Sequence, residues 1–250
     1  MRSIKSLKYL RVAHFSSSAK PNLLSTERFG TGSKVAVFMH GILGHKRNWR
    51  TPALVWMKQH PEYSCITVDH RGHGQSLKLP GPNSLESCAL DFATTYNDIQ
   101  NPQTPIDMIF GHSFGGKVVL KYLQRACEGH MSLPKHTWIL DSIPLPYFPQ
   151  HDLTPRNQSV FYVFDVIHKL PRIFESREWV VEEMVKEGLD RPIALWLATN
   201  VVPTSVDGIT KYTWTFDLTT IRELFEDFCQ TDLMDFLANY DGDGEIHFIR

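Results

Sequence analysis

Short apolar runs and amphipathic runs alternate along the first 140 residues of the chain. Lys34-Val35-Ala36-Val37-Phe38-Met39 and Tyr63-Ser64-Cys65-Ile66-Thr67-Val68 are near-continuous apolar and β-branched, as strands covered on both faces of a parallel sheet are. Ile106 to Phe110 and His136 to Leu140 repeat that pattern, and Leu23 to Phe29 predicts an edge strand. Between them, helical periodicity runs through Pro52 to Lys58, Ser84 to Gln100 and Val118 to Leu123, with Ser84 as a predicted N-cap. Strands that alternate with helices need crossover connections, so the pattern predicts an α/β fold with a mostly parallel sheet and helices on both faces. From Pro144 to about Lys211 the alternation stops. Helical patterns broken by Pro155, Pro171, Pro192 and Pro203, with Phe161, Tyr162, Phe164, Trp179 and Trp196, predict a helical insertion of about 144–211. Most of these aromatics are expected to hold the insertion's own core. Helices through Ile221 to Phe228 and Leu233 to Leu237 follow, and Glu245 to Arg250 begins a last strand.

The chemistry is concentrated where strands end. Gly111-His112-Ser113-Phe114-Gly115 follows one apolar run and opens an amphipathic one, the context of a nucleophile elbow. There a sharp strand-to-helix turn strains the serine backbone, lifts Oγ clear of the sheet and needs glycines where backbones meet closely. The helix start offers unpaired N–H groups and a positive dipole end to an oxyanion. Upstream, the strand at 34–39 ends in His40-Gly41-Ile42-Leu43-Gly44, the usual place for a second oxyanion donor. The main-chain N–H groups of Ile42 and Phe114 are therefore the candidate oxyanion hole. The strand at 63–68 ends in Asp69-His70-Arg71-Gly72-His73-Gly74-Gln75-Ser76, a tight polar loop.

With these three segments in this order, the chain resembles the α/β-hydrolase fold family, which carries a similar D-x-R-G-x-G-x-S loop between its His-Gly strand and its elbow. Leu140-Asp141-Ser142-Ile143-Pro144 and Trp214-Thr215-Phe216-Asp217-Leu218 are similar to the small esterase branch of bacterial short-chain acyl esterases and the mitochondrial α/β-hydrolase domain-containing protein eleven. The likeness runs from about residue 23 to residue 250. It implies a serine hydrolase acting on small acyl esters or thioesters, with Ser113 as nucleophile, Asp141 as the strand-end acid and Asp217 as the alternative acid. It also implies a histidine base after one further strand, roughly fifty to sixty residues on. None of the twelve histidines stands there: His40, His70, His73 and His112 belong to the motifs above, His151 and His168 to the insertion, and His247 to the last strand. The expectation is an α/β-hydrolase chain with its C-terminal strand and helix truncated and its catalytic histidine absent. The competing reading is a catalytically silent binding or interaction protein on the same scaffold. Dehalogenase and epoxide hydrolase chemistry would need an aspartate where Ser113 stands.

With 250 residues, 42% hydrophobic and 21% charged, the composition suits one α/β domain with an insertion, expected over 23–250. Residues 1–20 hold Arg2, Lys5, Lys8, Arg11 and Lys20, no acid, and Ser16-Ser17-Ser18, which reads as a mitochondrial transit peptide. That gives a matrix location, with the cytoplasm as alternative. Those five basic residues turn a net charge of −1 into about −6 for the remainder, against a nucleic-acid partner. Four cysteines without a C-x-x-C read as reduced thiols, and nothing approaches a membrane span. Asp69, His70 and His73 lack further ligands at suitable spacing, and Asp241-Gly242-Asp243-Gly244-Glu245 reads as a turn, so no metal is expected. No G-x-G-x-x-G or P-loop is present, so no nucleotide cofactor is expected.

Overall fold

The computed structural model describes residues 22–100, 104–129 and 131–250; the presequence reading at 1–20 lies outside them. Strands β1 (Thr26–Phe29), β2 (Lys34–Met39), β3 (Tyr63–Val68), β4 (Met108–His112) and β5 (His136–Leu140) alternate with helices α1 (Arg50–Gln59), α2 (Leu85–Ile99) and α3 (Phe114–Cys127). After β5 comes an insertion of α4 (Val160–Lys169), β6 (Ile173–Phe174), α5 (Arg177–Lys186), α6 (Arg191–Leu197), β7 (Val201–Val206) and β8 (Ile209–Trp214). Helices α7 (Leu218–Gln230) and α8 (Met234–Ala238) lead to β9 (Glu245–Ile249). The main sheet has the order β1-β3-β2-β4-β5-β9. All its pairs are parallel except β1 with β3.

The two-residue period of the strands sorts side chains onto two faces. Val35, Val37 and Met39 of β2 join a large core with α2, α3 and α7, whereas Ala36 and Phe38 join Phe29, Tyr63 and Cys65 in a second core with α1. The buried faces therefore follow from the alternation itself. Cys65, Cys88 and Cys229 are buried thiols, Cys127 is exposed, and all four are unpaired. Among the described residues no helix is long and apolar enough to cross a membrane.

The insertion is not wholly helical, contrary to the sequence expectation. Strands β6, β8 and β7 form a small antiparallel sheet. Its hairpin turns at Asp207-Gly208, both with positive φ (51° and 76°), as a two-residue hairpin loop requires. Pro203 does not break a helix; it sits in β7, an edge strand where a missing N–H costs little. The aromatics do not form a core of the insertion's own: Trp179 stacks on Phe174 within it at 6.1 Å, but Phe164 stacks on Phe225 of α7, outside it, at 4.6 Å. Val163, Phe164 and Trp214 belong to the same continuous core as the main sheet, so the insertion is packed down rather than tethered.

One buried cation ties the returning chain to the sheet. Lys117, on α3 and fully buried, donates from Nζ to the carbonyls of Leu145, Phe228 and Thr231 at 2.8, 2.7 and 2.9 Å. Burial pushes its pKa down to about 8, and three carbonyl dipoles compensate the ammonium in place of water. Replacing it leaves those oxygens with no donor. Lys117→Met is expected to lower unfolding free energy by about 2–4 kcal/mol, read as a fall in the urea midpoint at unchanged slope.

Candidate active site

Ser113 stands between β4 and α3 with φ 51° and ψ −116°, a conformation that costs a non-glycine residue about 1–3 kcal/mol. Two bonds hold the bend: Ser113 N–H donates to Leu140 O, and Gly116 N–H to Ser113 O, each at 2.9 Å. The flanking glycines are required sterically. A Cβ on Gly111 would lie 2.4 Å from Gly115 O, and one on Gly115 would lie 2.6 Å from His40 O. Phe114 is the first residue of α3, so its N–H has no helical acceptor.

The opposing loop at 40–46 has no regular structure before Lys46, yet its last four main-chain donors are all engaged. Leu43 N–H donates to His73 Nε2 (3.1 Å), Gly44 N–H to Gly41 O (3.0 Å), His45 N–H to Asn48 Oδ1 (2.8 Å) and Lys46 N–H to Asp69 Oδ1 (2.7 Å). Ile42 N–H is left without an acceptor among the described residues. Asn200, from the insertion, closes the loop by donating to Leu43 O at 2.9 Å.

The polar loop after β3 is what grips it. Asp69 pairs with Lys46 Nζ at 2.6 Å, both almost fully buried. Arg71 forks onto Asp91 with bonds of 2.7 and 2.9 Å. His40, His70 and His73 pack edge to face, with ring centroids 4.6 and 5.0 Å from His40. Each has a defined tautomer: His40 Nε2 accepts from His70 N–H, His70 Nε2–H donates to His40 O, and His73 Nδ1–H donates to Arg71 O. Burial drives all three pKa values down, His70 to about 3, His73 to about 4, and His40 well below its usual value. They are neutral connectors.

Two cavities meet at Ser113. The first, of about 410 Å³, is walled by Leu43, Trp49, Val163, Ile193 and Trp196. The second, of about 390 Å³, carries Asp141, Tyr147, His151, Asp152 and Arg250. Ile42, Ser113 and Val160 line both. The structure thus brings Ser113, Ile42, Phe114 and Asp141 around one space. Asp141 has φ 44° and its N–H donates to Ile249 O at 2.7 Å, which fixes the strand end. Asp217 is elsewhere: it caps α7 by accepting from Thr220 N–H at 2.8 Å and lines neither cavity.

Among the described residues no imidazole is hydrogen-bonded to Ser113 Oγ. Three histidines set aside on sequence position nevertheless line its cavities, His40 and His112 the first and His151 the second. Burial lowers the His112 pKa, with the Asp141 carboxylate pulling the other way. His151 accepts from Phe148 N–H through Nδ1 at 3.3 Å. His112 lies inside the elbow motif at the end of β4, whereas His151 lies outside every motif and reaches the site because the insertion folds over the sheet by contacts distant in sequence.

A model of the serine aminopeptidase family S33 matches residues 31–133, the stretch that holds the His-Gly loop, the polar loop and the elbow. Comparison with curated protein sequences finds no match. Among solved structures, a marine microorganism esterase superposes with a TM-score of 0.70 at 15% identity, covering 91% of this chain and 90% of that one. An E-2-(acetamidomethylene)succinate hydrolase gives 0.66 at 16%, covering 91% and 76%. A thermophilic esterase from Thermogutta terrifontis gives 0.60 at 16%, covering 96% and 79%. The chain has the α/β-hydrolase fold.

Two outcomes follow for the site. Gly115→Ala, whose methyl would meet main-chain oxygens that cannot move aside, is expected to destabilise by about 3 kcal/mol, measured by chemical denaturation. The imidazole trio binds protons in the unfolded chain from pH 6.5 downward but resists them when folded. Stability is therefore fully present above pH 6.5 and falls as pH drops toward 4, by about 1.4 kcal/mol per pH unit for each proton taken up. Melting temperatures between pH 7 and pH 4.5 measure this.

Proposed function

We propose that this α/β-hydrolase-fold chain is a serine hydrolase of the esterase or thioesterase type, acting on small acyl esters through an acyl-serine intermediate. The observation that carries the reading is Ser113, strained on its bend, facing the unbonded Ile42 N–H and the start of α3 at the junction of two cavities. Ser113 Oγ attacks the acyl carbonyl, its proton passes to water in the absence of a described imidazole bonded to Oγ, and the carbonyl oxygen takes negative charge opposite the Ile42 and Phe114 N–H groups. Collapse expels the alcohol or thiol, and water then releases the acid. The first cavity, whose wall holds no carboxylate or ammonium group, suits an acyl chain; the second, with Asp141, Asp152 and Arg250, suits the leaving group. An ester fits this division better than a peptide with a free amino terminus, which would need a carboxylate beside the acyl side.

Asp141 is the acid of this reading, and no described imidazole serves as base. The reading includes a mitochondrial matrix address carried by residues 1–20, with the cytoplasm as alternative. The unpartnered Oγ also favours a second reading, a silent binding protein that keeps the two cavities. A fluorophosphonate probe separates the two. Covalent labelling that disappears in Ser113→Ala is the expected result, and a folded, monodisperse protein that takes no label would favour the binding reading. Without a base, hydrolysis of p-nitrophenyl butyrate is expected on the order of 10⁶ below that of a complete triad. Turnover at ordinary esterase rates, abolished by Ser113→Ala, would show that an imidazole of this chain reaches Oγ.

A further inference from the structure

Four side chains form one register row across the sheet on the α1 side: Phe38 pairs with Phe110, Phe110 with Trp138, and Trp138 with His247. Their rings stack at 4.7, 6.3 and 4.2 Å, with interplanar angles of 4°, 13° and 19°. The row ends at the imidazole of β9, held flat against an indole. Two residues earlier on the same face, Glu245 lies in register with His136 of β5. His136 Nδ1 is 3.0 Å from Glu245 Oε2, and His247 Nε2 is 3.3 Å from the same oxygen. Despite that approach, His247 Nε2 is a buried atom with no properly directed hydrogen bond.

The geometry points to a divalent transition-metal site built from His136, Glu245 and His247, with Zn²⁺ as its ion. The three donor atoms all lie within 4.8 Å of one another. Zinc bonds of about 2.0–2.2 Å to imidazole and carboxylate, set tetrahedrally, place neighbouring donors about 3.3 Å apart; the two imidazole-to-carboxylate separations are 3.0 and 3.3 Å, and the two imidazole nitrogens lie within 4.8 Å of each other. Two nitrogens and one carboxylate suit Zn²⁺ and its neighbours in the series; Mg²⁺ and Ca²⁺ require shells of oxygen. An ion would also give the stranded Nε2 lone pair a partner, and the Trp138 ring holds that imidazole in place for it. The side chains of His136 and His247 are about one-third exposed and that of Glu245 is 64% exposed, so an ion can enter from solvent and complete its shell with water. Because one ligand comes from β5 and two from β9, the ion acts as a clip between the outermost strand and the rest of the sheet. The site lies at the start of β5, the end of the sheet opposite Ser113. Sequence reading expected no metal; strand register, not spacing, assembles these three residues.

The test uses the full chain, freed of metal with a chelator and titrated with Zn²⁺ against a chromophoric competitor. One equivalent bound at micromolar or lower Kd is expected, with at least tenfold weaker binding in both Glu245→Gln and His247→Ala. His168→Ala, in the insertion, is expected to bind as the parent does. The melting temperature is expected to rise with Zn²⁺ in the parent and to stay constant in Glu245→Gln, an exposed substitution that keeps the fold if His247→Ala loses it. Co²⁺ in place of Zn²⁺ is expected to give the visible absorption of a tetrahedral centre. Parent affinity equal to that of Glu245→Gln, or a Zn²⁺ site unaffected by changes at His136 and His247, would overturn the proposal and leave Glu245 as a cross-strand ion-pair partner only.

Discussion

The site rests on a contact between two loops: the strand-end segment after β2 and the polar segment after β3, joined by three uncharged imidazoles and the Lys46–Asp69 pair. An oxyanion donor has to be a main-chain N–H that nothing else has claimed, and an irregular loop ordinarily satisfies such groups internally or with water. Here the neighbours of Ile42 are engaged one by one, by an imidazole, a carbonyl, an amide and a carboxylate. The Ile42 N–H, on the residue that lines both cavities beside Ser113, is left without an acceptor among the described residues. The imidazoles can do this only while neutral, because His40 Nε2 and His73 Nε2 accept from main-chain N–H groups. A proton on either nitrogen would set donor against donor. Their depressed pKa values and the geometry of the loop thus describe one constraint.

Backbone strain gathers at the same edge of the sheet. Leu43, Ser113 and Asp141 all have positive φ, at 61°, 51° and 44°, and each follows one of three adjacent parallel strands. All three residues line the cavities. Sites in open α/β sheets form beyond the carboxyl ends of the strands, and here those ends turn too sharply for relaxed backbone. Strained residues persist only where their surroundings over-determine them. For Ser113 the surroundings are Leu140 O, the close approach of Gly111 to Gly115, and the packing of Gly115 on His40 O. For Asp141 they are the hydrogen bond to Ile249 O, so β9 contributes to the site although it lies two strands from β4.

Much of this was legible in the sequence, for reasons that differ by element. The parallel strands announce themselves because burial on both faces demands continuous apolar runs, and the elbow does because close backbone contact admits only glycine at 111 and 115. The polar loop showed its place but not its task. Nothing in the spacing of His40, His70 and His73 says that they connect loops, since that depends on the pairing of β2 with β3. The insertion misled, because Pro203 and the runs around it fit a broken helix as well as an edge strand, and only the pairing of Val201–Val206 with Ile209–Trp214 decides. Lys117 reads as an ordinary helix lysine; its burial follows from where α7 and the 145 segment return. Asp217 shows how a strand-to-helix aspartate can look catalytic in sequence and act as an N-cap in the fold.

The two cavities divide the labour of recognition between parts of the chain with different kinds of sequence information. Their floor consists of motif residues, Gly41 to Gly44 and Ser113, fixed by sheet geometry. Much of their wall comes from the insertion: Ile193 and Trp196 of α6 on one side, Tyr147, His151 and Asp152 on the other, with Val160 at the start of α4 shared between them. That wall is held by the stacking of Phe164 on Phe225, by Lys117 gripping Leu145 O, and by Asn200 bonding Leu43 O. The last of these joins the wall directly to the loop that carries Ile42. A change in the insertion therefore reaches the floor through a hydrogen bond rather than through shape alone, and the volume available to a substrate and the position of the Ile42 N–H are coupled properties of one structure.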